Sequence, residues 1–171
     1  MEIAVPKKLV EKAEELGVDL QGVVVEALAK ALSLDPEEEA EAHLELAKRY
    51  LREGEKLAGT DPVQASEKLY KAAEECVKAA AKLLSLREVL ERVKARGRWT
   101  VTDLERAVAA ASKKLGEELR IGWDAANYLH VWGFLEAKLD QEAVKARLPY
   151  VEKAIGLVED ELARRRTAKE G

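Results

Sequence analysis

Residues 117–138 read Glu-Glu-Leu-Arg-Ile-Gly-Trp-Asp-Ala-Ala-Asn-Tyr-Leu-His-Val-Trp-Gly-Phe-Leu-Glu-Ala-Lys, and this stretch decides the fold class. Four of the chain's eight aromatic residues lie in it (Trp123, Tyr128, Trp132 and Phe134), together with its single asparagine, Asn127, and one of two histidines, His130. Aromatic side chains are the strongest core fillers. At helical spacing, Ile121, Ala125, Tyr128, Trp132 and Leu135 share one face, while Gly122, Ala126 and Gly133 form a seam of small residues on another. A helix apolar nearly all round is a buried one. The expectation is that this segment is the central helix of an all-α protein.

The rest of the chain agrees with an all-helical reading. Hydrophobic residues make up 47% and charged residues 36%, with only 10 Gly and 4 Pro in 171 residues. Such a chain has ample material for one core under a charged skin. Asp35-Pro36 and Asp61-Pro62 each pair an N-cap with proline at the first helical position. Apolar stripes follow at Ala40, Leu44, Ala47, Leu51 and at Ala65, Leu69, Ala72, Ala73, Cys76, Val77, Ala80, Leu84, which predicts a helical hairpin. A shorter helix is expected over 86–96. Another opens at Thr102 with Glu105 as a capping box and closes at Gly116. Asp140 is expected to cap a last helix through Val144, Leu148, Val151, Ile155, Val158 and Leu162, kinked by the internal Pro149.

Residues 1–34 stand apart from residues 35–171. Pro6 opens a helix with Leu9, Val10, Ala13 and Leu16 that stops at Gly17, and Asp19 caps a second with Val23, Val24, Ala27, Leu28, Ala31 and Leu32. So short a block cannot bury that much apolar surface alone. It is therefore read as a dimerisation or interaction segment.

Charge and cysteine usage limit the function. The net charge of −4, with acids and bases interspersed, argues against constitutive phosphate-driven nucleic-acid binding. No apolar run approaches the ~20 residues that span a bilayer, and no secretory leader is evident. A single cysteine, Cys76, excludes an internal disulfide, fits the core stripe, and points to a reducing, cytoplasmic setting. The dense charge, with few thermolabile residues, is of the kind seen in proteins from hot environments. No metal-ligand spacing, Gly-rich phosphate loop or Gly-x-Ser-x-Gly elbow is present, so neither a metal nor a cofactor is expected.

The candidate site lies on the aromatic segment. Arg120, Asp124 and Asn127 recur at i, i+4, i+7 on one narrow stripe, with His130 at its edge. One reading makes Arg120 a fixed cation for a phosphate or carboxylate, with Asp124 and Asn127 orienting it and His130 moving a proton. The other makes Arg120–Asp124 an ion pair, Asn127 a partner of a loop carbonyl, and His130 a core residue. His43 is expected to be a solvated residue on the flank of its helix. Lys94, Arg96 and Arg98 beside Trp99 are read as a solvated helix C-terminus.

Gly97-Arg98-Trp99-Thr100, Glu117 to Ala126, Tyr128-Leu129-His130-Val131-Trp132-Gly133-Phe134 and Arg147-Leu148-Pro149 through Glu152 resemble the first numbered type of the archaeal PaREP family, over roughly residues 35–165. That family has no established activity, and its fold is similar to the HEPN superfamily of nucleotide-associated helical bundles. The Asp61-Pro62 to Leu84 pattern resembles the second helix of such bundles. The resemblance implies an up-and-down bundle of four to six helices. HEPN ribonucleases carry an arginine followed by a histidine after four to six residues. Here Arg120 and His130, nine residues intervening, are the nearest equivalents. The N-terminal block resembles a ribbon-helix-helix segment, although Glu2, Ala4 or Ile3 on its outward face suits neither phosphates nor bases. The combined expectation is a non-enzymatic, homodimeric helical module that binds a partner protein or a phosphate-bearing ligand. A metal-independent ribonuclease or toxin–antitoxin component is the alternative.

Overall fold

The structure, a computed structural model, describes residues 2–171 and divides into two compact units, 1–34 and 35–171. In the N-terminal unit, α1 (Lys7–Glu15) follows Pro6, and α2 (Leu20–Leu32) is capped by Asp19, whose carboxylate accepts from Gly22 N–H at 3.3 Å. Gly17, at φ +64°, turns the chain between them, and Val18 N–H closes onto the Ala13 carbonyl at 2.8 Å. The described residues ahead of α1 form no strand, in contrast to a ribbon. A lone strand has no pairing partner within one chain. Only Ala13, Gly22 and Ala29 of the two helices are buried. Ile3, Val5, Leu9, Leu16, Val18, Val23, Leu28 and Leu32 are exposed.

The second unit contains α3 (Pro36–Leu57), α4 (Pro62–Leu83), α5 (Arg87–Arg96), α6 (Val101–Leu115), α7 (Glu118–Tyr128), a π-helical segment (Leu129–Leu135), α8 (Gln141–Lys145) and α9 (Leu148–Glu170). That is more helical pieces than the four to six expected, in the same all-α class. Asp35 and Glu38 close a reciprocal capping box on α3, and Asp61 caps α4 through Gln64 N–H.

The centre of the unit is α4, not the aromatic segment. Fourteen of its 22 residues are buried, and α3, α6, α7, the π segment and α9 all pack on it. Its many alanines explain this, because short side chains let neighbouring helices approach from every side. The aromatic segment meets its neighbours along one face only, where Gly122, Ala126 and Gly133 lie with Leu119, Trp123 and Leu129.

Two boundaries also differ from expectation. The box opening α6 is Thr100 with Asp103, two residues earlier than Thr102 with Glu105. Asp103 gains Arg96 as a further partner there, which the later register would not provide. The chain after Asp140 forms two helices rather than one kinked helix. Pro149 occupies the first turn of α9, where a missing N–H breaks no intrahelical bond.

Candidate functional site

Close packing of glycine fixes the aromatic segment. A Cβ on Gly122 would lie 2.5 Å from the Ala154 Cβ of α9, so α7 and α9 meet nearly backbone to backbone. Leu119, Gly122, Trp123, Ala126, Leu129 and Gly133 are buried. The Trp123 indole donates to Glu105 of α6 at 2.7 Å. Of the face expected to be core, Ile121, Tyr128, Trp132 and Leu135 are exposed, as is Val131 beside them, and Ala125 is half-buried. The interior face combines the small residues Gly122, Ala126 and Gly133 with Leu119, Trp123 and Leu129, and Tyr128 and Trp132 were left outside.

His130 sits in the π segment, half-buried, with Nδ1 at 2.9 Å from Glu67 of α4. Its ring stacks on Tyr70 at 4.1 Å and 22° and lies 5.9 Å from Phe134, and Tyr70 in turn packs on Trp123 at 5.9 Å. Four rings therefore run in a row across the α4–α7 boundary. Burial, followed by the nearby charges of Glu74 and Glu67, pushes the Tyr70 phenol well above its ordinary range. With Nδ1 engaged by a carboxylate, the proton is assigned to that nitrogen, and Nε2 remains to accept or donate. This is an imidazole oriented by an acid, the arrangement that general acid–base chemistry needs. Single isolated turns of π-helix often mark functional positions.

Arg120 is held elsewhere. Its Nε lies 3.0 Å from Glu117, and Nη2 donates to Ser112 of α6 at 3.2 Å. It pairs with Glu117 rather than with Asp124, because a carboxylate three residues back also lies on its side of the helix. Asp124 is exposed, and desolvation and the charge of Glu105 raise its carboxyl above the usual value. Asn127 donates to the Trp123 carbonyl at 3.1 Å, a bond within its own helix rather than to a loop. Ten helical residues put Arg120 and His130 roughly 15 Å apart along the axis. The structure gives them separate sets of partners.

A second polar cluster was not anticipated. His43, expected at a solvated flank, is fully buried, with Nδ1 2.6 Å from Glu75. Lys78 bonds both Glu75 and Glu74, at 2.7 and 2.8 Å. Burial alone would raise the Glu75 carboxyl, but His43 and Lys78 outweigh it and hold the carboxyl below its usual range. His43 and Glu75 stand 32 residues apart, so no local spacing reveals the pair. Cys76 is buried, and burial pushes its thiol up, leaving it unreactive in the core. Arg96 pairs with Asp103, so the basic end of α5 is partly an internal tie. Among the described residues no three His, Cys, Asp or Glu are grouped to hold a metal ion.

The sequence of this unit matches the model of the "Archaeal PaREP1/PaREP8 family" over residues 42–155. The chain belongs to that family. This PaREP chain is also similar to a solved Sulfolobus solfataricus protein. Its crystal structure shares 36% identity and a TM-score of 0.64, covering 68% of the present chain and 96% of the other. The solution structure of the same structural-genomics target, an Orf c02003 protein, shares 37% identity and a TM-score of 0.60, covering 68% and 90%. No curated protein matches. Residues 1–34 lie outside the stretch matched by the family model. The aromatic segment, His130 and Glu67 lie inside it.

Proposed function

We propose that this PaREP chain is a non-catalytic helical interaction module that self-associates through its N-terminal unit and binds a partner protein or a phosphate-bearing ligand through its core. The observation that carries this reading is the exposed apolar set Leu9, Leu16, Val18, Val23, Leu28 and Leu32 on two short helices and the turn that joins them. Burying each such side chain contributes about 1.5–3 kcal/mol, and a second N-terminal unit is the simplest surface to cover them. Arg120 is the cation this reading assigns to a phosphate, with Asp124 and Asn127 beside it. The similarity to HEPN bundles belongs to the same reading. Light scattering on the full chain and on Leu28→Glu tests it. A dimer that the substitution dissociates supports self-association, and a mass unchanged by the substitution rejects this role for the unit.

The second reading, a metal-independent ribonuclease, draws on the Glu67–His130 pair, which suits proton transfer. Purified protein incubated with RNA in chelator should then cleave it and lose activity in His130→Ala. Absence of cleavage rejects it.

A further inference from the structure

The exposed face of α7 and the π segment has a shape and a charge pattern that the chain's own core does not use. Ile121, Tyr128, Val131, Trp132 and Leu135 are between 41% and 60% exposed, and so is Tyr150, at 48%, on α9, where its carbonyl abuts Gly122 next to Ile121. Together they present roughly 500 Å² of apolar surface, near the upper end for a monomer's largest patch. The strip runs from Ile121 to Leu135, roughly 20 Å of helix, and is about one helix wide. A long narrow strip of this kind matches four turns of an added helix, which reads as anchors at i, i+3, i+4 and i+7.

Charge then selects among helices. On the flank facing α6, the Glu117 charge is met by Arg120, and Glu105 accepts from the Trp123 indole. Asp124, between them, makes no hydrogen bond or ion pair among the described residues. On the other flank Arg147 is already engaged, with its guanidinium 4.2 Å from the Tyr128 ring centroid and Nη1 donating to the Ala143 carbonyl at 2.8 Å. An acidic or neutral helix laid on the strip would strip water from Asp124 and offer nothing in return, which is costly for a carboxylate. A cation at that edge offsets the loss.

We propose that this strip seats an amphipathic helix of a partner protein bearing lysine or arginine along the flank that meets Asp124. The proposal rests on the interaction-module reading and supplies its partner chemistry. All six strip residues lie within the stretch matched by the family model, so the strip belongs to the core rather than to the N-terminal unit.

The test uses two labelled synthetic helical peptides of about 15 residues, each with a leucine stripe, one flanked by lysine and one by glutamate. Each is titrated by anisotropy into the full-length protein. The lysine peptide should bind about tenfold or more tightly than the glutamate peptide. Asp124→Asn should shrink that preference to about threefold or less. Leu135→Glu or Trp132→Ser, both at exposed positions, should abolish binding with helical circular dichroism unchanged. Leu28→Glu, which probes self-association by mass, should leave peptide binding intact, so the two readings can fail separately. Equal affinity for both peptides, no binding of either, or binding that survives Leu135→Glu would overturn the proposal. A mass that falls on Leu135→Glu would also overturn it, by assigning the strip to a second copy.

Discussion

Gly133 of the π segment lies so close to Ser66 of α4 that a Cβ on the glycine would sit 2.0 Å from the serine Oγ and 2.6 Å from its Cβ. Ser66 cannot swing aside without cost, because its hydroxyl donates to the Pro62 carbonyl at 2.7 Å. The π segment and α4 are thus locked at a separation that only glycine permits. Gly133→Ala should destabilise the protein by about 1–3 kcal/mol, lowering the melting temperature by roughly 2–10 °C. Adding Ser66→Gly should recover most of the loss. Thermal unfolding followed by circular dichroism measures both, and an unchanged midpoint in the single variant would refute the steric account.

The buried His43–Glu75–Lys78 cluster should be intolerant of losing its middle member. Glu75 is the shared acceptor, so Glu75→Ala removes the partner of an imidazole and of an ammonium together. Breaking a buried charged pair on one side costs about 3–5 kcal/mol. Glu75→Gln, which keeps an acceptor for one of the two, should cost less. Urea unfolding of the three proteins gives the order parent, Gln, Ala. Equal stability of the two variants would show that the acceptor kept by glutamine contributes nothing there.

The helices were legible in the sequence because their signals are local. Asp35-Pro36, Asp61-Pro62 and Asp140 cap helices where composition placed them, and Gly17 turns the chain with a positive φ. What was not legible is which apolar face ends inside. Trp132 and Tyr128 have the larger side chains, but Gly122 and Gly133 permit the closer approach, and packing rewards contact rather than size. A helical wheel carries no information on that competition. The partners of the candidate residues were not legible for a related reason. Arg120 and His130 share one segment, yet their partners, Ser112 and Glu67, come from two different helices. Glu67 and Tyr70 carried no signal, because their link to His130 spans some 60 residues of chain.

Acid should weaken the fold through its paired carboxylates. Hydrogen bonding from Arg164, with a further contribution from Arg165, lowers the Glu161 carboxyl to about 2 from an ordinary 4.5, against an opposing effect of burial. A folded-state value below the unfolded one means that the stabilisation is complete above about 4.5 and is lost as pH falls towards 2. Glu75 and Asp103 are lowered as well and act in the same direction. The melting temperature should therefore be level just above pH 5 and fall below pH 4.5. Glu161→Gln should make that acid limb shallower. A limb of unchanged slope in the variant would remove Glu161 from the account.

Arg120 and His130 should behave as independent sites. Arg120→Ala loses the Ser112 bond and an exposed pair with Glu117, a cost of about 0.5–1 kcal/mol. His130→Ala loses the stack on Tyr70 and leaves Glu67, a mostly buried carboxylate, without its partner, a cost of about 1–3 kcal/mol. Residues roughly 15 Å apart along a helix, with no shared partner, should add within about 0.5 kcal/mol in the double variant. Denaturant unfolding of the four proteins closes the cycle. Coupling well above that limit would mean the two side chains act on one another through Tyr70, Trp123 and Glu105. It would return them to a single site of the kind a ribonuclease requires. Additivity, combined with failure to cleave RNA, leaves the Glu67–His130 pair as a brace between α4 and the π segment that holds the apolar strip facing outward.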